Sequence, residues 1–136
     1  MRIVIDSNIL FSALIKDSIT RRTILEYTNQ FLFPSIIFEE LEKYKDILLN
    51  KSGMDEKEFN ELLYLIMNKV LIVPEESLEK YKDPAVEIVK DIDIKDVLFI
   101  ACVLAYPNSI LWSNDKKLKN QKTIKVLNTE EIIKIL

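Results

Sequence analysis

The chain has 136 residues, 49% apolar and 30% charged, which suits one domain (residues 1–136) burying roughly two thirds of its unfolded surface and argues against disorder. With no histidine and one cysteine, His-based triads, His general bases, the common zinc sites and an intrachain disulfide are excluded, so chemistry falls to carboxylates, Lys, Tyr, Ser or Thr. The net charge of -3, from 19 Lys and Arg against 22 Asp and Glu, speaks against a generally basic nucleic-acid binder but leaves room for a local basic surface.

Arg2 to Ile5 predicts a strand and "SNILFSALI" a helix behind it. Between them stands Asp6, a carboxylate where the strand surfaces, with Ser7 and Asn8 beside it. Alone, Asp6 reads as the N-cap of that helix. Arg21 and Arg22 open a second helical segment, and Phe31 to Phe33 predicts the next strand. Ser35 or its neighbour then opens a helix carrying Ile37, Leu41, Tyr44 and Leu48 on one face. Glu40 lies about 60° from the centre of that stripe, whereas Glu39 and Glu42 fall on the solvent side. A carboxylate on the flank of a buried face needs a partner or a purpose; the plainer reading is an ordinary half-exposed glutamate.

From Asp55 to Asn68, Phe59, Leu62, Leu63, Ile66 and Met67 mark the stripe of a core-facing helix, and Leu71 to Val73 predicts a third strand. Ile94 to Ala105 predicts a helix that is apolar all round after its first turn and therefore packed on several sides. Cys102 within it reads as a small buried hydrophobe. In "KDIDIKDVLFIACVLA", Asp93 and Asp96 are three residues apart and meet on one face at the helix start. Capping by Asp93, with Asp96 at N3 facing the helix dipole, would explain both; Asp91 reads as solvated. Ile110 to Trp112 and Lys125 to Leu127 are the last strands, and "LWSNDKKLKNQK" puts Asp115 just past the fourth, behind Ser113 and Asn114. A cap would again explain it. Lys116, Lys117, Lys119 and Lys122 follow directly, either as a solvated face or, with Arg21 and Arg22, as a rim that holds phosphates.

Strands alternating with helices imply βαβ crossovers and hence a three-layer α/β/α sandwich on a mainly parallel, about five-stranded sheet. Functional groups in such sheets gather beyond the carboxyl ends of the strands. Three separate segments put acids at that edge, and Glu40 projects from a helix that begins there. Clustered carboxylates raise one another's pKa unless a divalent cation neutralises them, and oxygen-only ligands suit Mg2+ or Mn2+. Setting aside Asp6, Glu40, Asp93, Asp96 and Asp115 leaves 17 acids against 19 bases, a slightly basic remainder around an acidic pocket. That combination fits metal-assisted cleavage of a phosphodiester backbone.

Over essentially its whole length the chain resembles the PIN-domain nucleases, including the toxins of VapBC toxin–antitoxin pairs. "VIDSNIL", "SIIFEEL", "DIDIKDVLFIACVLA" and "LWSNDKKL" resemble that family's four acidic segments in order and spacing. The resemblance implies Asp6, Glu40, Asp96 and Asp115 as catalytic residues, with Asp6, Asp96 and Asp115 as metal ligands. Asp93 is a further acid, and the choice between Asp93 and Asp96 as inner ligand stays open. Ser113, where the family often has threonine, keeps the hydroxyl but lacks the methyl that restricts its rotamer. Ser113 and Asn8 would support the site, and Arg21, Arg22, Lys116 and Lys117 would contact nucleic acid. The implied activity is Mg2+- or Mn2+-dependent endonucleolytic cleavage of single-stranded RNA by a homodimer, with an antitoxin as a separate polypeptide.

A non-catalytic RNA- or protein-binding module is the alternative. A phosphate-accepting receiver-type domain would need an aspartate ending a central third strand, where "LIVPEESL" has none; a haloacid-dehalogenase-type phosphatase would need a second aspartate where Asn8 stands. No apolar run approaches the roughly 20 residues of a membrane span, and no basic leader with a cleavage site is apparent. The expected location is cytoplasmic.

Overall fold

A computed structural model describes residues 1–27 and 30–136. Five strands, β1 (Arg2–Ile5), β2 (Gln30–Pro34), β3 (Val70–Val73), β4 (Ile110–Trp112) and β5 (Val126–Leu127), form one sheet in the order β3-β2-β1-β4-β5. All four pairings are parallel. The central strands read Ile3-Val4-Ile5 and Phe31-Leu32-Phe33 and are fully buried, as a parallel sheet covered on both faces requires.

Alternation of side chains along each strand sorts the core into two layers. Ile3, Ile5, Phe31, Phe33, Ile110 and Trp112 face one side, where they meet residues of α1 (Ser7–Ile15), α2 (Ile19–Glu26), α3 (Ile37–Ser52), α4 (Glu56–Met67) and α7 (Thr129–Ile135). Val4, Leu32, Val73 and Leu111 face the other, under a 3₁₀ segment (Glu75–Tyr81), α5 (Lys82–Val89) and α6 (Val97–Ala105). The three-layer α/β/α expectation is met. Among the described residues no helix is long and apolar enough to cross a membrane.

Local chemistry accounts for the element ends. Asp55 caps α4 in a reciprocal box with Glu58, satisfying two backbone donors that a helix start otherwise leaves unpaired. The chain's one glycine, Gly53, ends α3 at φ 70, a left-handed conformation costly for any residue with a Cβ. Elements 75–89 and 129–135 lie beyond the stretches read as helical from sequence; α7 is defined by an Asn128–Glu131 capping box.

One expectation needs correction. The 94–105 segment is not one continuous α-helix: Ile94–Asp96 forms a 3₁₀ turn and α6 begins at Val97. Asp93 caps that turn, accepting the Lys95 N–H at 3.0 Å, while Asp96 makes no cap bond. Asp96 therefore sits at the junction instead of at N3. The sheet order also disposes of the receiver reading, because β3 is an edge strand and the centre belongs to β1.

Candidate functional site

Asp6 leaves the carboxyl end of the central strand. Its N–H donates to the Trp112 carbonyl at 3.3 Å, carrying the β1–β4 ladder one residue past β1, and its Oδ1 accepts the Ile9 N–H at 3.0 Å, capping α1. The carboxylate is only 6% exposed. Burial pushes its pKa up; hydrogen bonds from the Ser113 hydroxyl and the Ile9 N–H oppose this, and the charges of Asp115 and Glu40 reinforce it. Ser113 is itself fully buried, its N–H donating to the Leu127 carbonyl at 3.0 Å, so the β4–β5 ladder fixes the hydroxyl that steadies Asp6.

Asp93 caps the 3₁₀ turn that Asp96 ends, which brings the Asp93 charge close enough to act on Asp96. Half-buried Asp96 is pushed up to about 7, by burial first and then by the charges of Asp93, Asp6, Asp115 and Glu40. Glu40, in the first turn of α3, is half-buried. Asp115 is held in its loop by donating its N–H to Ser113 Oγ at 3.1 Å, while its Oδ1 accepts the Lys117 N–H at 2.9 Å. Asn114 reaches across to α7, its Oδ1 accepting the Thr129 N–H at 2.9 Å. Five acids from four segments thus share one electrostatic neighbourhood. Among the described residues, however, no three metal-binding side chains close into a ready-made cage.

The acids open onto a trough of about 1000 Å³ lined at one end by Asp6, Asn8, Glu40, Asp93 and Asp96. Ser7 also lines it, and its Oγ is buried without a hydrogen-bond partner among the described residues. Asp115 is not part of the lining and acts on Asp6 and Asp96 through its charge. Lys43, Lys51 and Lys95 belong to the trough and were missed from sequence. The signal was available for two of them: Lys43 and Lys51 continue the Glu40 side of α3, three and eleven residues on.

The basic residues singled out from sequence lie in different settings. Arg21 Nε donates to the Ala13 carbonyl at 2.7 Å and its Nη2 to that of Leu14 at 3.3 Å, so it caps the end of α1. Arg22 pairs with Asp17 at 3.7 Å. Lys116, Lys117 and Lys122 are exposed, and Lys119 pairs with Glu131. Cys102 is buried, and burial pushes its thiol up to about 12, which removes it as a nucleophile.

The donor set is therefore hard oxygen alone, the chemistry that suits a small divalent cation with phosphate as co-ligand. In backbone geometry the chain matches the VapBC2 crystal structure from Rickettsia felis, bound to a DNA fragment from their promoter, with a TM-score of 0.70 and 18% identity over 94% of this chain and 98% of that one. No curated protein matches it. The family model described as PIN domain matches residues 4–134. Since the match runs through all five strands and every acid of the trough, this chain belongs to the PIN-domain family.

Proposed function

We propose that this PIN-domain protein is a Mg2+- or Mn2+-dependent endoribonuclease that hydrolyses phosphodiester bonds of single-stranded RNA, and that it is the toxin of a type II toxin–antitoxin pair. The observation that carries the reading is that Asp6, Glu40, Asp93 and Asp96 line one trough, with Asp115 close enough for its charge to act on Asp6 and Asp96; burial first, and neighbouring acids after it, raise Asp6 and push Asp96 up to about 7. Ordinary helix capping does not call for such a concentration of charge. A hard cation fits the residues present, because Mg2+ needs only one or two direct carboxylates and takes water and phosphate for the rest.

Asp6, Asp96 and Asp115 would hold the ion. Asp96 is favoured over Asp93 as inner ligand because its carboxylate is more buried and has no cap bond, whereas Asp93 is occupied by the Lys95 N–H. When bound, the cation supplies charge stabilisation at the phosphoryl group and a lowered pKa for water. Glu40, in the same lining, would position or deprotonate the attacking water. Asp93 raises the negative potential of the pocket, and Ser113 fixes the Asp6 rotamer. Asn8, exposed in the trough lining, would support the site. A separate antitoxin polypeptide accompanies this reading, supported by the fold likeness to VapBC2; a homodimer belongs to the same proposal.

The test is Asp6→Asn. Asn caps a helix as well as Asp, so the variant should unfold at the wild-type temperature or above it while losing Mn2+-dependent cleavage of single-stranded RNA. Retained cleavage, or wild-type rates unchanged in EDTA, would end the assignment. The open spacing of the acids favours a second reading, a non-catalytic binding module; absence of both Mn2+ binding and cleavage would select it.

A further inference from the structure

Both α1 and α3 start at the carboxyl edge of the sheet and pack side by side. Between them the trough continues away from the acids and changes character. Phe11 and Ile15 of α1 and Tyr44 and Ile47 of α3 give it an apolar floor, flanked by Lys43 and Lys51. The Tyr44 ring is held edge-to-face by Phe11, with centroids 5.6 Å apart at 65°, and Lys43 Nζ lies over it at 5.2 Å. At 1.5 Å rise per residue, Lys43 and Lys51 stand about 5 and 16 Å along the α3 axis from Glu40. Among the described residues neither lysine has a carboxylate partner, whereas Lys45, off the trough, pairs with Glu56.

From this we infer that the α1–α3 trough seats the single-stranded substrate on one side of the scissile phosphate, with Lys43 and Lys51 on successive parts of its backbone and Tyr44 stacking an unpaired base. The inference rests on the nuclease reading above for the identity of the strand. Cations without a carboxylate partner beside an oriented aromatic form the usual combination for an unstructured polyanion, and the exposed Lys43 side chain leaves the Tyr44 ring for phosphate as the base takes that face. The order along the trough supports it: Lys51 lies farthest from Glu40 and Lys43 one turn from it, so a backbone held by the two runs into the acids, where a cation is required before phosphate can enter. Stacking also explains selection of single strands, since a paired base has no free face to offer Tyr44.

The experiment is fluorescence anisotropy of an end-labelled RNA strand of about 12 nucleotides, within the site sizes of strand-binding grooves, on the Glu40→Gln protein with Mg2+; this variant removes the base and keeps Asp6, Asp96 and Asp115. Lys43→Ala and Lys51→Ala should each lower the slope of log affinity against log salt by about 0.7, the contribution of one phosphate contact on a single strand. Tyr44→Leu should weaken binding about tenfold, and Tyr44→Phe, which keeps the ring, should restore it. Affinity and slope unchanged in the lysine variants, no strand binding by any form, or binding of an acidic peptide in place of the strand would overturn the inference. The two readings separate in the active protein: if the Lys43→Ala/Lys51→Ala double variant cleaves RNA with wild-type KM, the trough assignment fails and the nuclease stands. If the parent cleaves nothing yet its binding depends on Lys43 and Lys51, the trough stands and the nuclease fails.

Discussion

Two aspartates start helices in almost the same backbone conformation: Asp6 at φ -78, ψ 167 before α1, and Asp55 at φ -74, ψ 169 before α4. Each accepts the N–H three residues on, at 3.0 and 2.8 Å. Locally they do the same work. Asp55, however, stands exposed, with Glu58 completing its capping box. Asp6 is buried under β4 with the charges of Asp115 and Glu40 upon it. A cap accounts fully for Asp55 and only partly for Asp6, whose burial next to other acids is an electrostatic cost that capping alone could have avoided, since Ser or Asn would cap as well.

The largest effect that separates the two positions is on activity. Asp6→Asn should lower Mn2+-dependent RNA cleavage by at least about a hundredfold, the upper end of what even outer-sphere partners cost a metal site, while Asp55→Asn leaves the rate unchanged; equal effects at both sites in a cleavage assay would dissolve the contrast. Next comes ligand-linked stability. Mn2+ at about 100 times its Kd should stabilise the wild type by about 2.7 kcal/mol, raising Tm in a thermal-shift experiment, and should do the same for Asp55→Asn but not for Asp6→Asn.

A pH scan without metal sharpens the comparison further. Asp96 rises from 3.8 to about 7 on folding, so the folded chain binds its proton more tightly than the unfolded chain does. Stability is therefore greatest below the unfolded value and falls as pH rises through the folded one. In EDTA, Tm should decline between pH 5 and 8, and Asp96→Asn should flatten the decline; a wild-type Tm that rises across this window would mean the sign is wrong. The smallest effect belongs to Asp55→Ala, where loss of an exposed cap should cost about 1 kcal/mol in urea unfolding with no change in cleavage.

Much of the architecture could be read from residue pattern because a parallel sheet buried on both faces leaves continuous runs of β-branched and aromatic residues, and "RIVI", "FLF" and "ILW" are such runs. The apolar core of α6 was equally plain. Its first turn was not, since Ile94 is 59% exposed and nothing in "DIDIKD" distinguishes a 3₁₀ turn from an α-helical one. The acids at the sheet edge were legible individually as caps, and several of them are caps. What sequence could not supply was their relative burial, which makes Asp96 differ from Asp93 and Asp6 from Asp55. Arg21 illustrates the opposite case: beside Arg22 it suggests a phosphate contact, yet its long side chain folds back onto the carbonyls of Ala13 and Leu14. Tertiary proximity of that kind leaves no trace in local spacing.

The most direct test is anomalous diffraction from crystals soaked in Mn2+. A single strong peak bordered by Asp6, Asp96 and Asp115, absent from Asp6→Asn crystals, is the expected result. A peak at some other acidic surface, or none at a Mn2+ concentration that supports cleavage, would contradict the central claim that these carboxylates converge to hold one hard cation.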